Sequence, residues 1–159
     1  MIDLSHPSKM ANLETIKLSA APVIASHSSA RSLCDHSRNL DDEQLLAIKE
    51  NGGVVQTVAL EGYLNSEKTA NNKQSNVADL IDHVDYMVKL IGVDYVGISS
   101  DFDGGGGIEG WNDASETLNV TKELVNSGYN EKDIEKIWGG NLLRVMEEVE
   151  IIAQKLQKK

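Results

Sequence analysis

Apolar positions along the chain alternate between two periods. Compact apolar or β-branched runs at residues 2–5, 22–27, 54–60 and 95–100 predict strands, the second opened by Pro22. Helical spacing fills the stretches between them. Leu13, Ile16 and Leu18 predict a helix over 13–21, and Leu45 and Ile48 predict one over 39–51, with Asn39 or Asp41 as its cap and Gly52-Gly53 as its stop. Val77, Leu80, Ile81, Val84, Val88 and Ile91 keep helical register over 77–91. Residues 67–75 are polar and read as a loop, and 101–112 read as a glycine-rich loop. Three helical stretches follow, at 114–126, 131–138 and 141–157. The last aligns Leu142, Val145, Met146, Val149, Ile152 and Leu156 on one face and ends in Lys155, Lys158 and Lys159, which suit a helix C-terminus.

Repeated strand–helix alternation predicts an α/β fold, a parallel sheet with helices outside. Four such units equal half of a (β/α)8 barrel, and they also suit a small open sheet; the pattern alone leaves both open. At 159 residues the chain reads as one domain. Its 15 Lys and Arg against 25 Asp and Glu give a net charge of −10, which argues against nucleic acid as a partner because a phosphate backbone would be repelled. No apolar run reaches the length of a membrane span. The single cysteine, Cys34, forms neither an internal disulfide nor a cysteine zinc cluster, and reads as a small buried hydrophobe. Residues 1–6 carry no basic, signal-like start.

Polar residues cluster where the strands end. His6 follows the first run, His27 the second and Asp101 the fourth. Sites in parallel α/β folds form at the carboxyl ends of strands, so two imidazoles and a carboxylate there make a candidate metal-hydrolase site. The plainer alternative is that each histidine satisfies a local hydrogen bond. Arg38, in the loop after His27, suits a substrate carboxylate or a surface ion pair with Asp41 or Asp42. His36 reads as a loop residue, and His83, off the apolar stripe of its helix, as a boundary or surface histidine. Asp101-Phe102-Asp103 followed by Gly104 to Gly107 lacks the Gly-Lys-Ser/Thr of a P-loop and the oxygen ligands of a calcium loop. An aspartate-nucleophile phosphatase fits Asp101 but leaves His6 and His27 without a role. A non-catalytic α/β module is the other alternative.

Six stretches taken together resemble one family. Ile2-Asp3-Leu4-Ser5-His6, residues 21–30 with Ser26-His27-Ser28-Ser29, Arg38-Asn39-Leu40, Gly52-Gly53-Val54-Val55-Gln56, residues 96–104 with Ser100-Asp101-Phe102-Asp103-Gly104, and Gly139-Gly140-Asn141-Leu142-Leu143-Arg144-Val145 are similar, in order, to the membrane (renal-type) dipeptidases, peptidase family M19 of the amidohydrolase superfamily. The resemblance implies a zinc-dependent metallopeptidase that hydrolyses dipeptides by a metal-bridging hydroxide. It implies strands five to eight of a (β/α)8 TIM barrel, so that residues 1–159 form a single partial domain, the C-terminal half. It makes His6 and His27 metal ligands, Arg38 the group that binds the substrate carboxylate, and Asp101 the catalytic residue that handles the proton. Two zinc ions belong to the complete enzyme.

The family's first half, with its His-x-Asp pair, bridging glutamate and further histidine, has no counterpart in this chain. Pro7 stands where a small apolar residue is common, and the loop after Asp113 lacks the tyrosine–proline pair of renal-type members. The chain is therefore expected to be inactive alone, and to pair its unsatisfied sheet edges with the missing half or with another copy, as in a homodimer. An upstream signal peptide would imply a periplasmic or secreted protein, and its lack a cytoplasmic one.

Overall fold

β-Branched residues dominate the segment Val54–Val58, and it becomes the central strand of the molecule. The computed structural model describes residues 1–158; Lys159, part of the basic helix end read from the sequence, lies outside the described residues. Strands β1 (Ile24–Ala25), β2 (Val54–Val58) and β3 (Val96–Ser99) form a parallel sheet in the order β1-β2-β3. Ile24 lies opposite Val54, and Val55 to Val58 lie opposite Val96 to Ser99. The first predicted strand is reduced to a single parallel bridge between Asp3 and Ile24. There the Ile24 N–H donates to the Ile2 carbonyl and the Leu4 N–H donates to the Ile24 carbonyl. The ladder stops there because the Ser26 N–H, which would next donate to the Leu4 carbonyl, turns to the Asp3 carboxylate while Asn12 takes that carbonyl, so among the described residues three strands form where four were expected.

Helices connect the strands. α1 (Lys9–Leu18) starts earlier than its apolar spacing implied because Ser8 Oγ accepts from the Ala11 N–H. α2 (Asp42–Glu50) has the capping box of Asp41 and Gln44, so of the two caps read from the sequence Asp41 serves. After β2 come α3 (Glu61–Leu64) and α4 (Ser66–Ala70). The second corrects the loop expected at 67–75: Asn65 Oδ1 accepts from the Lys68 N–H and starts a short exposed helix that needs no apolar face. α5 (Val77–Ile91) is N-capped by Asn76 with Asp79 and buries Leu80, Ile81, Val84, Met87 and Ile91. A 3₁₀ turn at Ala114–Glu116 leads into α6 (Thr117–Asn126). α7 (Glu131–Glu135) passes through a π-turn at Lys136–Gly140 into α8 (Asn141–Gln157).

The sheet is covered on both faces. Val54 and Val55 are consecutive strand residues and so point to opposite sides. Val55 joins the main core with Leu45, Ile48, Leu80 and Val84. Val54 joins Ile24 and Val145 in a second, smaller cluster under Leu142 and Val149 of α8. α8 also ties down the amino ends of the strands. Arg144 Nη1 donates to the Gly52 carbonyl (2.8 Å) and Nη2 to the Asp94 carbonyl (3.0 Å). Asn141, 3% exposed, donates from Nδ2 to the carbonyls of Val93 (2.7 Å) and Val96 (2.8 Å). Beyond β3, edge-on contacts of Phe102 with Trp111 (5.5 Å) and of Trp111 with Trp138 (5.9 Å) anchor the glycine-rich loop. Among the described residues no helix is long and apolar enough to cross a membrane.

Asn141→Ala strands two carbonyls under α8 and is expected to cost about 2–3 kcal/mol in urea unfolding; a loss below measurement error would contradict that role. Partial burial pushes the Asp79 carboxyl up, but hydrogen bonds from Lys68, the Asn76 N–H and Asn65 outweigh it and hold the group below its usual 3.8. A depressed folded value contributes stability that is fully present above the unfolded value and is lost as pH falls through the folded one. Stability should therefore fall as pH drops below about 4. Asp79→Asn should flatten that acid limb in denaturation curves taken at several pH values.

Candidate functional site

Parallel pairing sends the residues that follow each strand to one rim. There the Asp3 carboxylate joins two neighbouring segments. Its Oδ1 accepts from the N–H groups of Ser5 (3.1 Å) and Ser26 (3.0 Å), and its Oδ2 from the Ser26 hydroxyl (2.5 Å). Partial burial pushes the Asp3 carboxyl up, yet these serine hydrogen bonds hold it below the usual carboxylate range. Ser5 Oγ accepts from the His27 N–H at 2.9 Å, which locks the same two segments from the other side.

His6 and His27, the next residues, meet. Their Nε2 atoms are 2.9 Å apart, with ring centroids 4.9 Å apart and planes at 62°. Arg38 completes the group. Its Nε donates to the Ser5 carbonyl (3.0 Å) and its Nη2 approaches His27 Nε2 (3.3 Å), while the guanidinium lies 5.8 Å from the Tyr63 ring centre. The arginine is steered there by its neighbours. Asn39, 1% exposed, donates from Nδ2 to the carbonyls of Cys34 and Tyr63, and its Oδ1 accepts from the Ser29 N–H. His36 Nδ1 accepts from the Arg38 N–H (3.2 Å) while its ring stacks on Tyr63 at 4.3 Å. The surface ion pair weighed for Arg38 does not form: Asp41 pairs with Lys9 (2.6 Å), and Asp42 accepts from Ser32 and Tyr86.

Asp101 stands where β3 ends, in a left-handed conformation with φ of 53°. A side chain there costs about 1–3 kcal/mol, although Asp tolerates it better than most residues. Its carbonyl accepts from the N–H groups of Gly104 (2.9 Å) and Gly106 (2.7 Å). The glycine run serves this turn: a Cβ on Gly104 would collide with the Asp101 carboxylate, and one on Gly106 with the Ser100 carbonyl. Asp101 makes no hydrogen bond to His6, His27 or Arg38, so three of the four predicted site residues are joined directly and the fourth sits at the end of another strand.

Other expectations resolve differently. His83 is 1% exposed and so is not a boundary or surface histidine. Its Nδ1 accepts from the Ala30 N–H and its Nε2 bonds the Leu64 carbonyl, because the backbone around α3 closes over that side of α5. Burial holds its pKa below the usual value, which keeps it neutral. Cys34 is buried as read, and burial raises its thiol. Asp3, Ser26 and Tyr63 received no role from the sequence. The available signal was a repeated Ser-His dipeptide, Ser5-His6 and Ser26-His27, at two strand ends. A cleft of about 480 Å³ lies elsewhere, between α4 and α5, and is lined by Asn65, Asp79, His83 and Lys89.

Two imidazole nitrogens are the donor set a transition metal accepts. Zinc–nitrogen bonds of about 2.0–2.1 Å at a tetrahedral angle would hold two such nitrogens roughly 3.3 Å apart. The observed 2.9 Å is within reach of that by a small ring rotation. Among the described residues no group of three or more His, Cys, Asp or Glu side chains is placed to hold a metal ion. The pair fits part of a metal's coordination shell and leaves the remainder to other donors.

The family model described as Membrane dipeptidase (Peptidase family M19) matches residues 1–159. Among similar curated proteins, "Dipeptidase ataJ" of Aspergillus terreus is 42% identical over 99% of this chain and 38% of its own length. "Dipeptidase 3" of Mus musculus is 38% identical over 98% of this chain and 31% of its own. The chain thus spans between about 30% and 40% of the length of these relatives. Among solved structures, the probable dipeptidase PvdM of Pseudomonas aeruginosa superposes with a TM-score of 0.87 at 35% identity, over 94% of this chain and half of that one. A metallopeptidase of Rhodobacter sphaeroides, liganded with a phosphinate mimic of the dipeptide L-Ala-D-Ala, also gives 0.87, at 29% identity over 93% of this chain and 42% of that one. With a profile match from the first residue to the last, relatives above 35% identity and a shared backbone, this chain belongs to the membrane dipeptidase family, peptidase family M19.

Proposed function

We propose that residues 1–159 are the C-terminal half of a zinc-dependent dipeptidase barrel, the part that supplies two metal ligands and the substrate-carboxylate site. One observation carries the reading: His6, His27 and Arg38 meet at the carboxyl ends of adjacent parallel segments. Pairing in unbroken chain order, with helices between, supports strands five to eight of a (β/α)8 barrel. Membership in a family whose solved members include metallopeptidases supports a metal, and the imidazole pair supports zinc.

His6 and His27 would hold the metal through Nε2. A bound zinc supplies Lewis-acid polarisation and readily deprotonated water at neutral pH. Arg38 binds the free carboxylate of a dipeptide in two parallel hydrogen bonds and so measures the distance from the C-terminus to the scissile bond. Its Nη2 and a metal compete for the same lone pair of His27, so the guanidinium must turn from His27 toward the substrate on loading. Asp101, fixed by its left-handed turn, holds the proton destined for the leaving amine. A catalytic zinc needs three protein ligands, and this chain brings two, so the remaining donors come from the other half of the barrel.

Three outcomes test this reading. Zinc titrated into the chain in a calorimeter should bind, and His6→Ala or His27→Ala should each abolish the heat. L-Ala-D-Ala with zinc should be hydrolysed no faster by the chain than by His27→Ala. Absence of any zinc binding favours a non-catalytic module, and turnover well above the variant refutes the dependence on a second half. The exposed edge at Met1 and Ile2, together with Leu143, Met146 and Ile151 on the outer side of α8, should drive association. Size-exclusion chromatography at rising concentration should show a dimer or larger; a strict monomer would count against an unsatisfied half-barrel.

A further inference from the structure

We infer that the Asp3 carboxylate, acting through the Ser26 hydroxyl, fixes His27 as its Nδ1–H tautomer and thereby turns an unprotonated Nε2 toward His6 and Arg38. The inference rests on the dipeptidase reading for its purpose but not for its geometry. The proton accounting has one solution. Ser26 Oγ is 2.5 Å from Asp3 Oδ2 and 2.7 Å from His27 Nδ1, with the Ser5 hydroxyl farther off at 3.4 Å and able to donate to it. A serine hydroxyl carries one proton, and an ionised carboxylate only accepts. Hydrogen bonds hold the Asp3 carboxyl in its ionised form. The hydroxyl proton therefore points to Asp3, and Ser26 Oγ can only accept from the imidazole. His27 must therefore carry a proton on Nδ1, and in the neutral imidazole Nε2 is then the unprotonated nitrogen.

A separate contact requires the same state. Arg38 Nη2 is a donor without acceptor capacity and lies 3.3 Å from His27 Nε2. That approach is attractive only if Nε2 offers a lone pair. His6 Nε2, 2.9 Å away, is then the donor of the histidine pair. Two independent sets of atoms, one on each side of the ring, thus agree on the tautomer. The same carboxylate binds the N–H groups of Ser5 and Ser26, so one side chain sets both the spacing of the two histidine segments and the protonation pattern of one ring. Asp3 and Ser26 are positioning residues: they act through His27, by orienting its ring and raising the basicity of Nε2.

The test is nitrogen-15 NMR of the histidine side chains in the 159-residue chain at about pH 8, above the ordinary histidine range. Wild type should show His27 protonated at Nδ1 with an unprotonated Nε2. Ser26→Ala should shift the ring toward the Nε2–H form, and Ser26→Thr, which keeps the hydroxyl, should restore the wild-type pattern. Ser26 is the better site than Asp3, because Asp3→Ala also releases two backbone donors. Zinc affinity should fall by about tenfold or more in Ser26→Ala and recover in Ser26→Thr. A wild-type His27 protonated at Nε2, or a Ser26→Ala spectrum unchanged from wild type, overturns the relay whatever zinc does. A correct tautomer and variant response with no zinc-induced change at His27 leaves the relay standing and sinks the metal reading, so the two failures are told apart.

Discussion

Parallel strand pairing is the constraint on which the chemistry of this chain depends. Each strand delivers its following residues to the same rim only because all neighbours run in one direction and in chain order. A single-residue slip of β1 against its neighbours would turn Ile24 away from Val54 and swing His27 to the other face of the sheet. The register is guarded on both sides. Val55 packs in the main core and Val54 in the smaller cluster, and a one-residue slip of β2 would bring polar Gln56 or side-chain-less Gly53 into one of these places.

Above the apolar sheet, polar groups finish the work. The rim carries few long-range ion pairs and many short contacts between backbone and side chain. Asp3, Ser5 and Ser26 join two strand ends, and Asn39 and His36 fold the following loop so that Arg38 returns over Ser5. Contacts of this kind fix direction better than they add stability, because each exchanges a hydrogen bond with water for one in the protein. The cost of holding Asp101 in a left-handed turn is met by backbone donors from its own loop and by the aromatic contacts of Phe102 with Trp111.

Much of this was legible in the residues. α2 and α5 are found where their apolar spacing puts them, and Asp41, one of the two caps read for α2, starts it. The rim positions of His6, His27 and Asp101 followed from strand ends, a rule of topology that needs no coordinates. The misses have two causes: a local cap that no apolar spacing marks, and partners remote in sequence. α4 exists because Asn65 caps it, although nothing apolar marks it. His83 is interior because segments 19 and 53 residues away close over it, and a stripe drawn on its own helix cannot show that. Asp3 became visible as an organiser only when Ser26, 23 residues later, was beside it.

Arg144 and Asn141 grip carbonyls at the opposite end of the sheet from the histidines. Cohesion and reactivity are therefore housed on different floors of the same building. Substitutions beneath can tune how long the fold survives without disturbing the imidazole pair, and rim loops can change without loosening the foundation.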